Sequence, residues 1–556
     1  MTTINTATKA DSPERVEGRA EEQPASDGRP ATSSRLIGRG SFALPLLLGA
    51  ISALGMAPLG WWSLTLVALA LFIWLLTDTK RNGFAMGWWF GLGHFLVGLN
   101  WLPTSFGYQA KMPAFLGWVA LAFLAAYMAL YPALAAFIAK RIAGKDTRTR
   151  LLPLVLALAG SWALTEWLRA NLFTGFAWNP IAEVALPMGL GGAAAHLGTY
   201  GLSAIMMLIA GAIILLAHRR WLASGVLLMY PALIWVADFA DTPLYDGPGP
   251  HVTLVQPNIG QGEKWDGSAV DSNFAKLAAL SGPKPIIGNS RIDEPSNPPR
   301  LLLWTEAAFP DYLEDGYPED YYRIPPVMQR QRIAALLGPK DVILTGGLKL
   351  EFDKAGAVTG ARNSIFAMDA KGNVIGRYDK SHLVPFGEYL PLRPILTPLG
   401  VSRLVPGSVD FIPGPGAQTM EVPGFGKAGL IVCYEMIFSG HVVDQTNRPD
   451  FIFSPSNDAW FGGWGAPQHH AQAQLRAIEE GLPIIRVTPT GISSIIDPHG
   501  NTVASIPQDK AGRIDDVIPP ALEPTFFSKY GNAIPLLFAL ILVFTSFALA
   551  RRATSR

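Results

Sequence analysis

Charged residues are scarce in this sequence of 556 residues: they make up 16% of it, whereas soluble domains contain about 25%. The shortage is greatest between Ser41 and Ala240, where only 16 of 200 residues are charged. A stretch of that composition cannot present a solvated surface, so the sequence excludes a fully cytosolic protein. The 44 basic and 43 acidic residues nearly cancel. This balance argues against a nucleic-acid-binding protein, which needs an excess of positive charge.

Cysteine is almost absent as well. The one cysteine, Cys433, excludes any intrachain disulfide framework and any cysteine-rich metal site. The sequence also lacks an HExxH motif, a P-loop and a GxGxxG turn after a strand. Metal-dependent hydrolysis and nucleotide chemistry therefore have no support, and we expect a protein that needs neither a metal ion nor another cofactor.

Large apolar side chains are nearly missing from residues 1–40, which are rich in Ala, Ser, Pro, Glu, Arg and Gly. Such a segment cannot bury enough surface to offset its chain entropy, so we predict a disordered, cytoplasmic N-terminal tail. The segment does not resemble a signal peptide. The apolar run begins only at Phe42, and no small-residue cleavage site leads into a polar mature chain. The first apolar helix should therefore remain as an anchor.

Long apolar runs are what the sequence has in abundance. A helix of roughly 20 apolar residues crosses the hydrocarbon core of a bilayer, which is about 30 Å thick. Seven such runs precede a more polar region and one follows it: 42–59, 62–77, 84–103, 114–138, 151–168, 197–217, 221–238 and 531–550. We predict a membrane domain with seven transmembrane helices at 41–240, and a C-terminal transmembrane helix with a basic cytoplasmic tail at 529–556.

Basic residues alternate from loop to loop, and this alternation predicts the orientation in the membrane. They cluster before the first span, in every second loop and after the last span, whereas the other loops carry only Lys111 and Arg169. By the positive-inside rule, both termini lie in the cytoplasm and residues 241–528 form an extracytoplasmic domain. Glu166 and Arg169, near the end of the fifth span, are either a functional pair or a simple ion pair one helical turn apart.

The polar region alternates predicted strands with predicted helices. Continuous apolar strands separated by helices indicate sheets that helices cover on at least one face. The predicted helices include 326–337 and 467–481. The predicted strands lie within 252–258, 301–310, 342–350, 363–370, 429–438, 451–460 and 482–500. This alternation predicts a layered α/β domain, in which chemistry collects at the ends of strands.

Three reactive side chains follow or lie near these strands. Glu306 comes directly after LLLWT, Cys433 directly after GLIV, and Lys380 lies in RYDKSHLVPFGEYLP. Taken singly, each has an ordinary structural explanation. A free cysteine is most often a small buried hydrophobic residue, and the other two suit exposed loops.

Together the three residues form a set that can carry out acyl chemistry. A thiol needs a base to become a nucleophilic thiolate, and Glu306 can serve if burial raises its pKa. The oxyanion of a tetrahedral intermediate needs a positive donor, which Lys380 and a backbone N–H can supply. A histidine can also serve as the base, and no sequence spacing selects one histidine over another. A Cys-His pair therefore stays possible with any of four residues: His382, His469, His470 and His499.

The residues around Glu306, Lys380 and Cys433 resemble the Glu-Lys-Cys triad of the nitrilase superfamily, whose domains are α-β-β-α sandwiches. The wider set of motifs is similar to the apolipoprotein N-acyltransferase family, membrane-embedded members of that superfamily. These motifs are VQPNIGQGEKW at 255–265, FGEYLP at 386–391, SNDAWFG at 456–462 and EWLRANLFTGFAW at 166–178. Pro489 stands where the family often has Asn, and AWNP at 177–180 replaces a more common PW-apolar sequence.

The resemblance implies a ping-pong reaction. Glu306 would take the proton of Cys433, and the thiolate would attack an acyl ester of a phospholipid, typically phosphatidylethanolamine. Lys380 and the N–H of Tyr434 would hold the oxyanion. The thioester on Cys433 would then pass its acyl chain to the α-amine of a diacylglyceryl-cysteine apolipoprotein. Supporting or substrate-binding positions that match the family are Glu388, Glu435, Tyr434, Trp265 and Asn363.

The resemblance also implies a multi-pass protein of the bacterial inner membrane, with its catalytic domain on the periplasmic side. We expect a monomer. A membrane-tethered, nitrilase-type amidase would use the same three residues on a small amide. A receptor or scaffold would keep Cys433 only for packing, and a transporter would not explain the large domain between the last two spans. We favour the acyltransferase, mostly because of the resemblance.

Overall fold

The computed structural model describes most of the chain beyond Ser41, in the ranges 42–108, 113–144, 147, 149–240, 249–282, 298–399 and 409–552. The predicted disordered tail at 1–40 lies outside the described residues, as does Lys111. The described part of the apolar region is helical, as predicted. Its helices are α1 (Ala43–Ser52), α2 (Trp62–Leu76), α3 (Gly83–Gly98), α4 (Leu102–Gly107), α5 (Phe115–Met128), α6 (Leu130–Ala143), α7 (Leu151–Asn171), α8 (Ala194–Ala217) and α9 (Trp221–Ala240).

Each predicted span before the polar region overlaps at least one of these helices. The span at 114–138 corresponds to the consecutive helices α5 and α6. By length and composition, four helical stretches in the described part of the chain can cross a membrane: Phe115–Ala143, Leu151–Asn171, Gly191–Ala217 and Ala533–Arg552. The helices at Ala43–Gly55, Trp62–Leu76 and Trp221–Ala237 are apolar but shorter. The topology of eight spans therefore stays a prediction.

The C-terminal helix packs against the centre of this helical bundle, although more than 300 residues separate it from α7. Gly160 of α7 makes the close approach possible, because a Cβ there would lie 2.5 Å from the carbonyl oxygen of Ala539. Ser546 strengthens the contact by donating a hydrogen bond of 2.6 Å to the carbonyl of Pro153. Small residues of this kind let membrane helices pack backbone to backbone.

The polar region forms two six-stranded sheets. The first has the strand order β12-β1-β2-β3-β4-β5 and the second β11-β10-β9-β8-β7-β6. The strands are β1 (His251–Gln256), β2 (Arg300–Leu303), β3 (Val342–Phe352), β4 (Val358–Asp369), β5 (Val374–Asp379), β6 (Gln418–Val422), β7 (Gly426–Leu430), β8 (Phe451–Pro455), β9 (Ile484–Val487), β10 (Ser493–Ile496), β11 (Thr502–Ile506) and β12 (Gly512–Val517). The remaining helices are α10 (Gln261–Lys264), α11 (Val270–Ser281), α12 (Pro326–Ala334), α13 (Arg393–Leu396), α14 (Gly462–Glu480), α15 (Phe526–Tyr530) and α16 (Ala533–Arg552).

Side chains alternate between the two faces of each strand, and this alternation produces the layers of the domain. In β2, Leu301 and Leu303 belong to the same core as Phe453 of β8, between the sheets. Leu302 points to the other face and packs with Phe274 of α11. The second sheet is covered in the same way, because its outer face packs against α14 through a separate apolar cluster. The order helix, sheet, sheet, helix confirms the predicted α-β-β-α sandwich.

The sheet topology brings the ends of several strands together. Strand β2 runs parallel to β1 and β3, and β7 runs parallel to β8. Glu306 follows β2, Lys380 follows β5, and Cys433 follows β7 at the start of a 3₁₀ turn, Cys433–Ile437. The three predicted residues thus all lie just beyond strand ends, where a layered α/β fold places its chemistry.

Candidate active site

Glu306, Lys380 and Cys433 converge in one buried site. Each is at least nine-tenths buried. Asn363 of β4 links the first two groups, because its Nδ2 donates to Glu306 Oε1 at 2.6 Å and to Glu388 Oε1 at 3.3 Å. Glu388 in turn accepts a hydrogen bond of 2.9 Å from Lys380 Nζ. The charges of Glu306 and Lys380 both act on the Cys433 thiol.

Contacts hold Glu306 in place both at its backbone and at one oxygen of its carboxylate. Gly346 of β3 lets the Glu306 segment approach closely, since a Cβ there would lie 2.4 Å from the Ala307 nitrogen. Lys264 Nζ donates to the backbone carbonyl of Glu306 at 2.7 Å. Oε1 is taken by Asn363, whereas the buried Oε2 has no hydrogen-bond partner among the described residues. One oxygen of Glu306 is therefore free to accept a proton.

Lys380 is held as an ammonium ion. Burial alone would lower its pKa, but the carboxylates of Glu388 and Glu306 outweigh that effect and raise the pKa above its ordinary value. Glu388 is fixed at its other oxygen, because Oε2 accepts from the backbone N–H of Val384 at 2.8 Å. The positive charge of Lys380 is thus fixed in place beside the thiol.

Cys433 has an unusual backbone and a thiol that stays protonated. Its φ of 51° lies in the left-handed region, which costs a non-glycine residue about 1–2 kcal/mol and is typical of functional turns. Burial and the neighbouring carboxylate of Glu306 raise the pKa of the thiol to about 12, although Lys380 opposes this shift. A thiol with this pKa needs a base before it can attack.

Glu435 fastens the Lys380 loop to the Cys433 turn. Its carboxylate accepts from Tyr378 Oη at 2.8 Å, and from the backbone nitrogen and Oγ of Ser381 at 2.7 and 2.5 Å. It also accepts from the backbone nitrogen of Val432, next to Cys433, at 2.6 Å. Hydrogen bonds to a carboxylate are the stronger kind. Glu435 therefore fixes the distance between the ammonium group and the nucleophile.

The helical bundle packs directly against the site. Tyr434 Oη donates to the carbonyl of Gly175 at 3.1 Å, and His382 Nε2 lies 3.1 Å from the carbonyl of Thr174. Deeper in the contact, Trp178 Nε1 donates to Gln468 Oε1 of α14 at 2.8 Å. The segment after α7 thus forms one wall beside the 3₁₀ turn that begins at Cys433.

The Glu166–Arg169 pair supports that wall. The two charged groups lie 3.8 Å apart and are both buried. Arg169 Nη1 also donates to the carbonyls of Phe176 and Trp178, at 2.9 and 2.6 Å, and Glu166 Oε1 accepts from the backbone nitrogen of Ile181. The pair is therefore more than a local ion pair, because it also holds the backbone of the loop that contacts the Cys433 turn.

Trp265 lies at the edge of the site. It is 46% exposed, and its ring lies 5.7 Å from Lys264 Nζ. Lys264 itself was not singled out from the sequence, although it directly precedes Trp265 in the quoted motif. Burial lowers the pKa of Lys264 to about 8, against the attraction of Glu306 and Cys433.

The four candidate histidines do not hydrogen-bond to the thiol: in the described part of the chain, none of their ring hydrogen bonds goes to the Cys433 sulfur. His382 contacts Thr174, and His470 contacts Thr502. His469 reaches Cys433 only through the backbone carbonyl, at 3.1 Å. Within the described ranges, no three His, Cys, Asp or Glu side chains are grouped to hold a metal ion. The ring contacts of His382, His469 and His470 thus pair none of these three histidines with the thiol.

A buried Glu, Lys and Cys at the strand ends of an α-β-β-α sandwich, joined to a bundle of apolar helices, defines a membrane-attached protein of the nitrilase superfamily. Family profiles match both parts. The apolipoprotein N-acyltransferase N-terminal domain matches residues 48–212, and the carbon-nitrogen hydrolase domain matches residues 252–522.

Curated relatives extend over nearly the whole chain. The apolipoprotein N-acyltransferase of Rhodopseudomonas palustris is 33% identical over 90% of this chain and 94% of its own length. That of Rhizobium rhizogenes is 33% identical over 85% and 89%. The chain belongs to the apolipoprotein N-acyltransferase family. Among solved structures, Nit3 of Saccharomyces cerevisiae is 20% identical, with a TM-score of 0.32, and covers 52% of this chain and 95% of its own.

Proposed function

We propose that this protein is an apolipoprotein N-acyltransferase that works through a thioester on Cys433. It takes an acyl chain from a membrane phospholipid and transfers it to the α-amine of the diacylglyceryl-cysteine of an apolipoprotein. The observation that carries the proposal is the convergence of the Cys433 thiol, the free oxygen of Glu306 and the Lys380 ammonium in one buried site beside the helical bundle.

The first half of the reaction loads the enzyme. Glu306 Oε2 takes the thiol proton as Cys433 Sγ attacks the ester carbonyl of the phospholipid, because a thiol with a pKa near 12 has almost no thiolate at neutral pH. The new C–S bond gives a tetrahedral oxyanion. Its collapse breaks the ester C–O bond, and Glu306 returns the proton to the leaving lysophospholipid oxygen. A thioester remains on Cys433.

The oxyanion is stabilised by two donors. Lys380 Nζ supplies a full positive charge, held in place by Glu388. The backbone N–H of Tyr434 supplies the second donor, because it lies in the first turn of the 3₁₀ segment and has no intrahelical acceptor. Fixed donors of this kind act most strongly in a buried site.

The second half discharges the enzyme. The α-amine of the acceptor attacks the thioester carbonyl, and the same two donors hold the second oxyanion. Glu306 takes a proton from the attacking nitrogen, the C–S bond breaks, and the proton passes to Sγ. An amide forms and the thiol is restored. Each step moves one acyl group and one proton, so no oxidant, metal ion or cofactor enters the balance.

The setting of the site suits an amine acceptor in preference to water. Tyr434 and His382 close one side of the catalytic turn against Thr174 and Gly175. Exclusion of water protects a thioester from hydrolysis. We further propose phosphatidylethanolamine as the donor, a monomeric enzyme, and an inner-membrane location with the catalytic domain on the periplasmic side. The loop charges support the periplasmic side, and the family resemblance supports the donor.

Mass spectrometry of the intact protein tests the proposal. The full chain in detergent micelles, incubated with phosphatidylethanolamine and no acceptor, should gain one acyl mass on Cys433. Neutral hydroxylamine should remove it, since a thioester is labile to this reagent and an oxygen ester much less so. A diacylglyceryl-cysteine peptide should receive the acyl chain on its amine. An adduct that survives hydroxylamine, or that appears in Cys433→Ala, would overturn the mechanism. Turnover of small soluble amides without loading from phospholipid would favour the amidase.

A further inference from the structure

A buried histidine holds the peptide that joins Cys433 to Tyr434. His469 lies on α14, the helix that covers the second sheet, and is fully buried. Its Nε2 lies 3.1 Å from the carbonyl oxygen of Cys433. A carbonyl can only accept a hydrogen bond, so Nε2 must carry the hydrogen and donate it.

The other ring nitrogen fixes the protonation state. Arg486 Nη2 lies 2.8 Å from His469 Nδ1, and a guanidinium can only donate. Nδ1 is therefore an unprotonated acceptor, and the ring is neutral. A hydrogen on Nδ1, directed at Asp458 Oδ1 3.2 Å away, would collide with the Arg486 N–H and create an imidazolium. Burial and the charge of Arg486 also lower the pKa of His469, against the attraction of Asp458.

Arg486 is itself locked in place. Its Nη2 donates to Asp458 Oδ2 at 2.5 Å, and Nη1 donates to the carbonyl of Ile492 at 2.7 Å. Burial opposes the charge of Asp458, but Arg486 holds the pKa of that carboxyl well below its usual range. Asp458, Arg486 and His469 thus form one rigid chain that ends at the carbonyl of Cys433.

The carbonyl of Cys433 and the N–H of Tyr434 belong to one planar trans peptide, so they point in opposite directions. A hydrogen bond that fixes the carbonyl therefore also fixes the direction of the N–H. That direction needs a restraint, because Cys433 has a positive φ and a backbone in this region relaxes unless its surroundings hold it.

We propose that His469 is a positioning residue: its neutral ring holds the Cys433–Tyr434 peptide so that the Tyr434 N–H faces the oxyanion. This inference rests on the acyl transfer proposed above. His470, the next residue on α14, turns the other way and contacts Thr502 and Ser494. It is therefore a matched control on the same helix.

Two reactions of the Cys433 sulfur distinguish a positioning role of His469 from a purely structural one. Loading of Cys433 from phosphatidylethanolamine builds an oxyanion, whereas alkylation by iodoacetamide does not. In the full chain, His469→Leu should slow loading by roughly 10²-fold, the scale of one lost oxyanion donor. Alkylation should stay within about threefold of the wild type. His470→Leu should change neither reaction.

Amide substitutions at His469 test whether a restored hydrogen bond to the Cys433 carbonyl also restores loading. His469→Gln places an amide nitrogen near the position of Nε2, whereas the shorter His469→Asn places it near Nδ1 and cannot reach the Cys433 carbonyl. We expect loading by His469→Gln to exceed that by His469→Asn by about tenfold or more. This comparison decides the matter if His469→Leu does not fold.

Three results would overturn the inference: wild-type loading rates in His469→Leu, equal losses in loading and alkylation, or equal loading by the Gln and Asn variants. Failure of the proposed function looks different, because the wild-type protein itself would then be alkylated but never loaded. The two failures can thus be told apart in one experiment.

Discussion

Replacing Lys380 by arginine asks whether the site needs a positive charge or a charge at one fixed point. Lys380 is 1% exposed, and its Nζ lies 2.9 Å from Glu388 Oε1. An arginine keeps the charge, but its planar, longer guanidinium cannot place a donor where Nζ stands. Loss of one oxyanion donor slows such a reaction by roughly 10²–10³, or about 2.7–4 kcal/mol. We expect Lys380→Arg to load at that reduced rate.

Two further variants complete the test. Lys380→Met removes the charge as well and breaks the buried ion pair with Glu388, which costs about 3–5 kcal/mol, so its midpoint of thermal unfolding should fall. Lys349→Arg is the matched control, since Lys349 also pairs with a carboxylate, at 3.1 Å, but is only partly buried. The rate of acyl-enzyme formation is read by mass spectrometry. Loading by Lys380→Arg within about threefold of the wild type, with Lys380→Met inactive, would refute the geometric argument.

Other perturbations test the base, the thiol and the topology. Glu306→Gln should slow thioester formation without removing the thiol, and Cys433→Ser should be nearly inactive, because a carboxylate is a poor base for a serine hydroxyl. Normal loading by either variant would contradict the mechanism. The raised pKa of Cys433 keeps the folded thiol neutral up to about 12, whereas the unfolded thiol ionises near its ordinary value of 9.0. Wild-type stability should therefore fall relative to Cys433→Ala between about pH 9 and 12, by about 1.4 kcal/mol per unit, and parallel curves of unfolding midpoint against pH would count against this. A reporter that works only outside the cytoplasm should be active when fused after Pro248 and inactive after Lys145 or at the C-terminus, and activity at Lys145 would end the eight-span topology.

Apolar patterning was enough to predict the buried strands of the sandwich. The run predicted at 342–350 is β3, Val342–Phe352, and the run at 451–460 contains β8, Phe451–Pro455. The run at 482–500 proved to be two strands, β9 and β10, joined by a turn. Strands β5, β6, β11 and β12 were not predicted. They lie toward the sheet edges, where partial exposure makes their sequences polar.

Glu306 and Cys433 could be found because each follows an apolar run, and Lys380 because it lies in a family motif. Two contacts that support these residues could not be predicted. Lys264 acts on the backbone of Glu306, 42 residues away. His469 acts on the carbonyl of Cys433 from a helix 36 residues further along the chain. Such contacts depend on how layers stack, and no spacing in the sequence records them. The sequence therefore named His469 only as one of four candidate bases, whereas its contact is with the backbone.

The polar contacts between the helical bundle and the sandwich bear on attempts to make a soluble enzyme. Glu479 of α14 accepts hydrogen bonds of 2.6 and 2.7 Å from the nitrogen and Oγ1 of Thr199 in α8, and Gln468 donates to the carbonyl of Gly98. An excised sandwich would lose these hydrogen bonds and would expose Tyr434 beside Cys433. A water-soluble version therefore needs a redesigned surface where the sandwich contacts the helical bundle. Cutting the chain at the domain boundary is not sufficient.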